Sequence, residues 1–199
     1  MSQQEFWNSK FSKDDFFYGT NPNEFLASNL NLFESPKKLL CLREGEGRNA
    51  IFFAIHKHDV TAIDASDIGL LKLEKRAKEE NLPIKTICLD LNTWETNEKY
   101  DGIVASYLHM YKNEREVLFK KIEDSLATDA YFIGEFFSTK QLNYNSGGPR
   151  DIELLYTPED FEIHFNSCKK TISEELVFLD EGKGHKGDAC VIRVVIQKI

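Results

Sequence analysis

The sequence contains few cysteines, and none of them forms a closely spaced pair. Its four cysteines, Cys41, Cys88, Cys168 and Cys190, show no CxxC spacing, and three of them lie inside short apolar runs. Zinc sites and redox motifs need closely spaced pairs, and disulfide-stabilised domains use many cysteines in a short chain. The pattern therefore predicts buried, reduced thiols in a cytoplasmic protein, and no metal site is expected.

Long hydrophobic runs and an N-terminal export signal are also missing. No apolar stretch reaches the roughly 20 residues that a membrane-spanning helix needs. Residues 1–5 lack both the basic start and the apolar centre of a signal peptide. We therefore expect no membrane association.

Basic residues are outnumbered, with 25 Lys and Arg against 33 Asp and Glu, for a formal net charge of -8. Binding of nucleic acid backbones needs clustered positive charge, so nucleic acid is not expected as the main partner. The length of 199 residues, without repeats or linkers, predicts a single domain over residues 1–199 that is a monomer or a homodimer.

Predicted strands alternate with predicted helices through the middle of the chain. Apolar runs at 38–42, 59–64, 84–89, 100–106 and 130–137 are separated by amphipathic helical segments. This alternation is typical of a parallel sheet with helices on both faces. Two further runs, at 171–179 and 189–196, flank a turn-rich loop and favour an antiparallel hairpin. The predicted fold is α/β, a doubly wound, Rossmann-like, mostly parallel seven-stranded sheet with an antiparallel C-terminal hairpin.

The first 34 residues are rich in aromatic side chains. Phe6, Trp7 and Phe11 have the spacing of one helix face. Asn21 is predicted to cap a second helix that has Pro22 at its first position. These residues are expected to form a helical lid over a ligand or, alternatively, to pack on the main body.

A glycine loop follows the first predicted strand and opens a helix. Gly45, Gly47 and Ala50 fit the pattern GxGxxG/A. The glycines permit unusual backbone angles and leave room for a ligand beside the chain. Strand, glycine loop and helix together predict a nucleotide-like cofactor.

Acids follow the neighbouring strands. Asp64 lies about 20 residues after the glycines, where a carboxylate accepts ribose hydroxyls. Asp90, with Leu91 after it, suits the amine and ring of adenine, and Ser106 ends the fourth strand. These acids, together with Glu44, favour the cationic, phosphate-free S-adenosylmethionine (SAM) over a dinucleotide with its pyrophosphate.

The residues also resemble a known family. The stretches Tyr18–Leu26 (YGTNPNEFL) and Glu44–Ala50 (EGEGRNA) are similar to class I SAM-dependent methyltransferases. Within that class the chain is similar to the branch of tellurite-resistance protein B and, more distantly, of thiopurine methyltransferase. The resemblance covers nearly the whole chain. It departs from the family at Arg43, where a small residue is usual; this long cation is expected to enter the site or to pair with an acid such as Glu135.

The resemblance implies methyl transfer from SAM to a small-molecule acceptor, such as a thiol or a metalloid oxyanion, with S-adenosylhomocysteine (SAH) as product. Gly45 and Gly47 are expected beside the methionine part of SAM, Asp64 at the ribose and Asp90 at the adenine. The full set of expected cofactor-binding residues is Tyr18, Glu44, Gly45, Gly47, Asn49, Asp64, Ala65, Asp90, Leu91 and Ser106.

Two histidines are candidate catalytic bases. A soft anionic acceptor needs little besides alignment, whereas a neutral amine or hydroxyl needs a proton acceptor. His109, after the fourth strand, and His185, in the last loop, are the candidates. Two alternatives stay open: a SAM-binding or nucleotide-binding protein without turnover, acting as a sensor or partner subunit, and an NAD-dependent oxidoreductase.

Overall fold

Alternating apolar side chains in the first strand are buried on both faces of the sheet. In the computed structural model, which describes residues 2–34 and 36–199, Leu39 and Cys41 join one hydrophobic cluster. Leu40 and Leu42 join a second cluster on the opposite face. Because both faces of this strand are covered, it occupies the middle of the sheet.

The sheet has the order β3-β2-β1-β4-β5-β7-β6. β1 pairs in parallel with β2 and β4, and β7 lies antiparallel between β5 and β6. The predicted fold class is confirmed, and the order reverses between β1 and β4, where doubly wound sheets bind ligands. The strands are β1 Lys38–Leu42, β2 Asp59–Asp64, β3 Ile84–Cys88, β4 Tyr100–Ser106, β5 Leu126–Phe137, β6 Cys168–Glu181 and β7 His185–Lys198.

Several helices begin after residues whose side chains cap them. The Ser66 hydroxyl accepts a hydrogen bond from the Gly69 amide at 3.0 Å, which fixes the start of α4. Thr157 caps α6, with Pro158 at its first position. The helices are α1 Gln3–Phe11, α2 Glu24–Ser28, α3 Arg48–Ile55, α4 Asp67–Glu79, α5 Lys112–Ser125 and α6 Pro158–Glu162. Short 3-10 turns lie at Leu30–Leu32, Leu91–Thr93, Thr139–Asn143 and Ile152–Leu154.

Two sequence-based expectations about local structure were wrong. Asn23, not Asn21, caps the second helix: its side-chain oxygen accepts from the Leu26 amide at 3.1 Å. The C-terminal strands are longer than expected, because β6 and β7 pair from Cys168↔Lys198 to Glu181↔His185. The predicted loop at 180–188 is therefore mostly strand.

The N-terminal segment, residues 2–34, places its first helix at the carboxyl edge of the sheet. Asn8 donates to Asp67 at 2.7 Å and accepts from the Ser66 hydroxyl at 2.6 Å, which places α1 over the start of α4. Farther along, the Phe17 amide donates to Glu46 at 2.7 Å. These contacts join the segment to the glycine loop and to α4.

All four cysteines are free thiols. Cys41 and Cys190 are buried as expected, but Cys88, in the exposed part of β3, is not. Among the residues that the structure describes, no helix combines the length and hydrophobicity needed to cross a membrane. In the same residues, no group of three or more His, Cys, Asp or Glu is arranged to hold a metal ion.

Candidate functional site

The glycine loop makes a left-handed turn directly after β1. Gly45 and Gly47 have φ values of 59° and 90°, so both lie where a side chain is strained. A Cβ on Gly47 would lie 2.3 Å from Leu73 Cδ1, and one on Gly45 would lie 3.0 Å from Phe11 Cζ. The loop is therefore fitted between α4 and the N-terminal segment.

The Glu44 carboxylate turns back onto the first turn of α3. One of its oxygens accepts from the amides of Asn49 and Ala50, both at 2.7 Å. The Gly47 amide donates to the Glu44 carbonyl at 3.1 Å. Burial raises the pKa of Glu44 to about 7, against the hydrogen bonds that favour the charged form. The helix terminus that would hold a phosphate is therefore already filled by a carboxylate of the chain itself.

Asp64 closes the other side of the loop. Its two oxygens accept from the Gly45 amide at 2.9 Å and the Ser66 amide at 2.7 Å. Burial raises the pKa of Asp64, and these two hydrogen bonds oppose the rise. A carboxylate has about four acceptor positions. Two therefore remain for a ligand, which suits the paired hydroxyls of a ribose.

A cavity of about 560 Å³, part of it open to solvent, surrounds this loop. We call it the loop cavity. The space that it encloses is about 50 Å³, well below the roughly 300–1,000 Å³ of ligand-filled pockets. Aromatic rings of the N-terminal segment form one wall, and the glycine loop forms the other. The residues that line it include Trp7, Phe11, Tyr18, Arg43, Asp64, Ser106 and His185.

Most of the predicted cofactor-binding residues meet in the loop cavity. The ones it brings together are Tyr18, Glu44, Gly45, Gly47, Asn49, Asp64 and Ser106. Three others lie apart from it. Leu91 is buried in the core, Asp90 caps a 3-10 turn by accepting from the Asn92 amide at 3.0 Å, and the Ala65 carbonyl faces the Cys88 thiol.

The hydrogen-bonding groups of the loop cavity fit the predicted cofactor. A pyrophosphate would need the amides that Glu44, Asp64 and the turn already occupy. SAM carries no phosphate and needs hydroxyl acceptors and an aromatic wall, which Asp64 and Tyr18 supply. Ser106 accepts from the Asn49 side chain at 3.1 Å and retains its own hydroxyl proton for a ligand.

His185 lies between the loop cavity and a second cavity. Its Nδ1 is 3.0 Å from a Glu181 oxygen, and its ring contacts Tyr107 and Tyr18 at centroid distances of 4.3 and 4.6 Å. Burial lowers the pKa of His185, and Glu181 opposes this only in part. The imidazole is therefore neutral near pH 7, with its orientation set by a carboxylate.

Glu181 belongs to a buried polar network that sequence reasoning missed. Burial alone would raise its pKa, but His185 and the Arg48 guanidinium, at 3.0 Å, lower it to about 2. Asn23 donates to Glu181 at 3.2 Å and to Glu135 at 2.7 Å. The pairing of Glu181 with His185 in the hairpin is the signal that could have revealed this network. The hairpin predicted from the sequence was too short to include it.

The second cavity, of about 1150 Å³ including its open mouth, lies on the other side of His185. We call it the basic cavity. It shares Trp7, Tyr18, Arg43 and His185 with the loop cavity. His109 also lines it, and burial lowers the pKa of His109 to about 3.

Arg43 has a left-handed backbone with φ 51°, and its guanidinium donates to the Gln3 side chain at 3.1 Å. The suggested pairing of Arg43 with Glu135 is wrong. Glu135 is held instead by Arg193 at 2.7 Å and by the Tyr107 hydroxyl at 2.7 Å.

Comparison with known proteins identifies the family. A profile of the family described as "Tellurite resistance protein TehB" matches residues 12–131, more than half of the chain. The chain belongs to the TehB family. The predicted relationship is thereby confirmed. A Haemophilus influenzae (strain 10810) protein called "Probable S-adenosyl-L-methionine-dependent methyltransferase TehB" is 35% identical over 83 residues, which are 42% of this chain. The match covers only 29% of the length of that relative.

Solved structures share the fold of this TehB-family chain. TehB from Haemophilus influenzae superposes with a TM-score of 0.75 at 18% identity, over 100% of this chain and 68% of that one. The N-methyltransferase NodS from Bradyrhizobium japonicum WM9, in complex with SAH, superposes with a TM-score of 0.75 at 14% identity, over 100% and 99%. At these identities the similarity establishes the fold.

Proposed function

We propose that this TehB-family chain is a class I SAM-dependent methyltransferase that acts on a small-molecule acceptor. The observation that carries the proposal is the filled terminus of α3, where Glu44 accepts from the Asn49 and Ala50 amides at 2.7 Å. Such a site disfavours phosphate and leaves Asp64 as the polar contact for a nucleoside. The name of the Haemophilus influenzae relative supports the same activity and cofactor.

When bound, SAM would supply an electrophilic methyl group on a sulfonium, with SAH as the leaving group. The chain's own residues hold and orient the two reactants. Asp64 and Ser106 bind the cofactor, Trp7 and Tyr18 exclude water, and the junction lined by Arg43 and His185 brings the reactants together. Positioning of this kind accounts for much of the rate enhancement in displacement reactions.

His185 is the proposed proton acceptor for a neutral acceptor molecule. Glu181 binds Nδ1 at 3.0 Å, which leaves Nε2 to receive the proton. His109 is a weaker candidate base because burial lowers its pKa to about 3. A thiolate or metalloid oxyanion acceptor needs no such proton transfer, and for it His185 only shapes the junction.

The four free cysteines support a reducing compartment, and we infer a cytoplasmic location for the chain. The contacts of the N-terminal segment with the glycine loop support its role as a lid that closes over the cofactor. A SAM-binding protein without turnover is the second candidate. It is favoured by Arg43, because this cation lines the cavity in which the positively charged sulfonium of SAM would lie.

Calorimetric titration with SAM, SAH and NAD tests the proposal. SAM and SAH are expected to bind at micromolar concentration and NAD is not. Asp64→Asn should weaken SAH binding about tenfold, because one acceptor becomes a donor. Asp124→Asn, on the exposed face of α5, is the matched control. Binding of NAD in preference to SAH would overturn the proposal, and SAH binding without transfer to any thiol, amine or oxyanion would establish the second candidate.

A further inference from the structure

The basic cavity has a charge opposite to that of the whole chain. Although acids outnumber bases by 33 to 25, the cavity is lined by Lys10, Arg43 and Lys183, and the described part of the chain contributes no Asp or Glu to its wall. Lys183 is paired with Asp15, which lies outside the wall. Lys10 and Arg43 therefore give the basic cavity its positive charge.

Neither of these two cations has a carboxylate partner within residues 2–34 and 36–199. The Arg43 guanidinium donates to the neutral Gln3 amide at 3.1 Å. The Lys10 ammonium lies over the rings of Phe6 and Phe17, at 5.3 and 5.1 Å from their centres. Both therefore retain hydrogen-bond donors for an anion.

A third polar group in the same wall also lacks a partner. His109 Nδ1 is buried, and no described residue forms a hydrogen bond with it. Lys10, Arg43 and His109 line the same cavity, and the two cations lower the pKa of His109 in addition to its burial. A buried nitrogen without a partner is costly, and a bound ligand atom would remove that cost.

Five aromatic residues also line the wall, together with small and aliphatic residues such as Gly148 and Leu154. Its rings belong to Phe6, Trp7, Phe17, Tyr18 and Tyr111. The space available to a ligand is about 440 Å³, more than an inorganic oxyanion requires. Aromatic walls bind planar apolar bodies through ring contacts. The lining therefore favours an organic ligand that combines a ring with a negative charge.

We propose that the basic cavity binds the methyl acceptor as an organic anion, with a carboxylate held between Arg43 and Lys10 and an aromatic body among the surrounding rings. This inference rests on the proposed methyltransferase function and names the acceptor class. It gives Arg43 a positioning role at the junction of the two cavities.

Calorimetric titration of 2-naphthoate and its neutral isostere 2-naphthamide, with and without saturating SAH, tests the inference. Naphthoate is expected to bind at least about tenfold more tightly than naphthamide, and added salt should weaken only naphthoate. Arg43→Gln should reduce naphthoate affinity about tenfold and Lys10→Gln about threefold. Arg43→Lys should retain part of the affinity, and Lys120→Gln, on the surface of α5, should retain all of it.

Equal binding of naphthoate and naphthamide would overturn the inference, as would unchanged naphthoate affinity in Arg43→Gln. Displacement of naphthoate by tellurite at equal concentration would also overturn it, because it would show that the charge alone is recognised. SAH binding is measured in the same proteins. A wild-type protein that does not bind SAH would refute the proposed function. A wild-type protein that binds SAH but not naphthoate would refute only the acceptor class.

Discussion

The two cavities that meet at His185 differ in how their charged groups are satisfied. In the loop cavity the acids already have partners: Glu44 and Asp64 accept backbone amides, and Glu46 accepts from Lys72 at 2.6 Å. In the basic cavity Lys10 and Arg43 form no ion pair among the described residues. A site whose charges are satisfied internally is preorganised for a ligand of fixed shape, whereas unpaired cations attract a ligand by charge.

Replacing the residue between the cavities should have the largest effect. His185→Gln is expected to reduce kcat/KM for a neutral acceptor by about 100-fold, because the proton acceptor is lost. Burial lowers the pKa of His185 below its ordinary value of 6.5. The imidazole is therefore still unprotonated at pH 6.5, and the wild-type rate should fall only below that pH. The measurement is the pH profile of methyl transfer in both proteins.

A thiolate acceptor provides the control for His185→Gln, because it arrives without a proton and its rate should change less than about threefold. An equal loss for both acceptor types, with an unchanged pH profile, would show that His185 has only a structural role.

Removing the carboxylate that fills the helix terminus should have the next largest effect. Glu44→Ala leaves the buried Asn49 and Ala50 amides without a partner and is expected to lower the free energy of unfolding by about 2 kcal/mol. Glu44→Gln keeps an oxygen for both amides and should cost less than about 1 kcal/mol. Urea denaturation of the three proteins measures both values. Equal losses in the two variants would contradict this role.

Crowding the contact between α4 and the glycine loop should have a smaller effect. A Cβ on Gly69 would lie 2.9 Å from the Gly45 carbonyl oxygen and 3.0 Å from Phe11 Cδ2. Gly69→Ala should therefore destabilise the fold by about 1 kcal/mol, although alanine normally stabilises a helix interior by about that amount. It should also weaken SAH binding. Glu79→Ala at the end of the same helix is the control, and a more stable Gly69→Ala protein would refute the close packing.

The smallest effect is expected from pH at the basic cavity. His109 has a pKa of about 3 in the folded chain against the ordinary 6.5. Between these values the unfolded chain binds a proton that the folded chain does not, so the free energy of unfolding falls as pH decreases from 6.5. His109→Gln should reduce this fall by about 1 kcal/mol at pH 6, relative to pH 8. Parallel pH dependences in the two proteins would contradict the prediction.

Much of the fold was predictable because its signals are local. The apolar runs of β1, β2 and β4 and the capping Ser66 of α4 were placed within one or two residues. The cap of α2 was misplaced because Asn21 and Asn23 offer similar side chains, and tertiary contacts selected Asn23. The hairpin was predicted too short because Asp180 and Lys186 are charged residues typical of a loop. In the structure they pair with each other as strand residues.

The sequence by itself determined the doubly wound architecture, the glycine loop and the acid Asp64, because hydrophobic period and left-handed glycines are properties of neighbouring residues. The structure added two local contacts that the sequence analysis missed: Glu44 fills its own helix terminus, and Glu181 orients His185 across the hairpin. It alone also brought Lys10, Arg43 and His109 to one wall. These last contacts join segments that are far apart in the chain, and no spacing along a single sequence encodes which distant side chains meet.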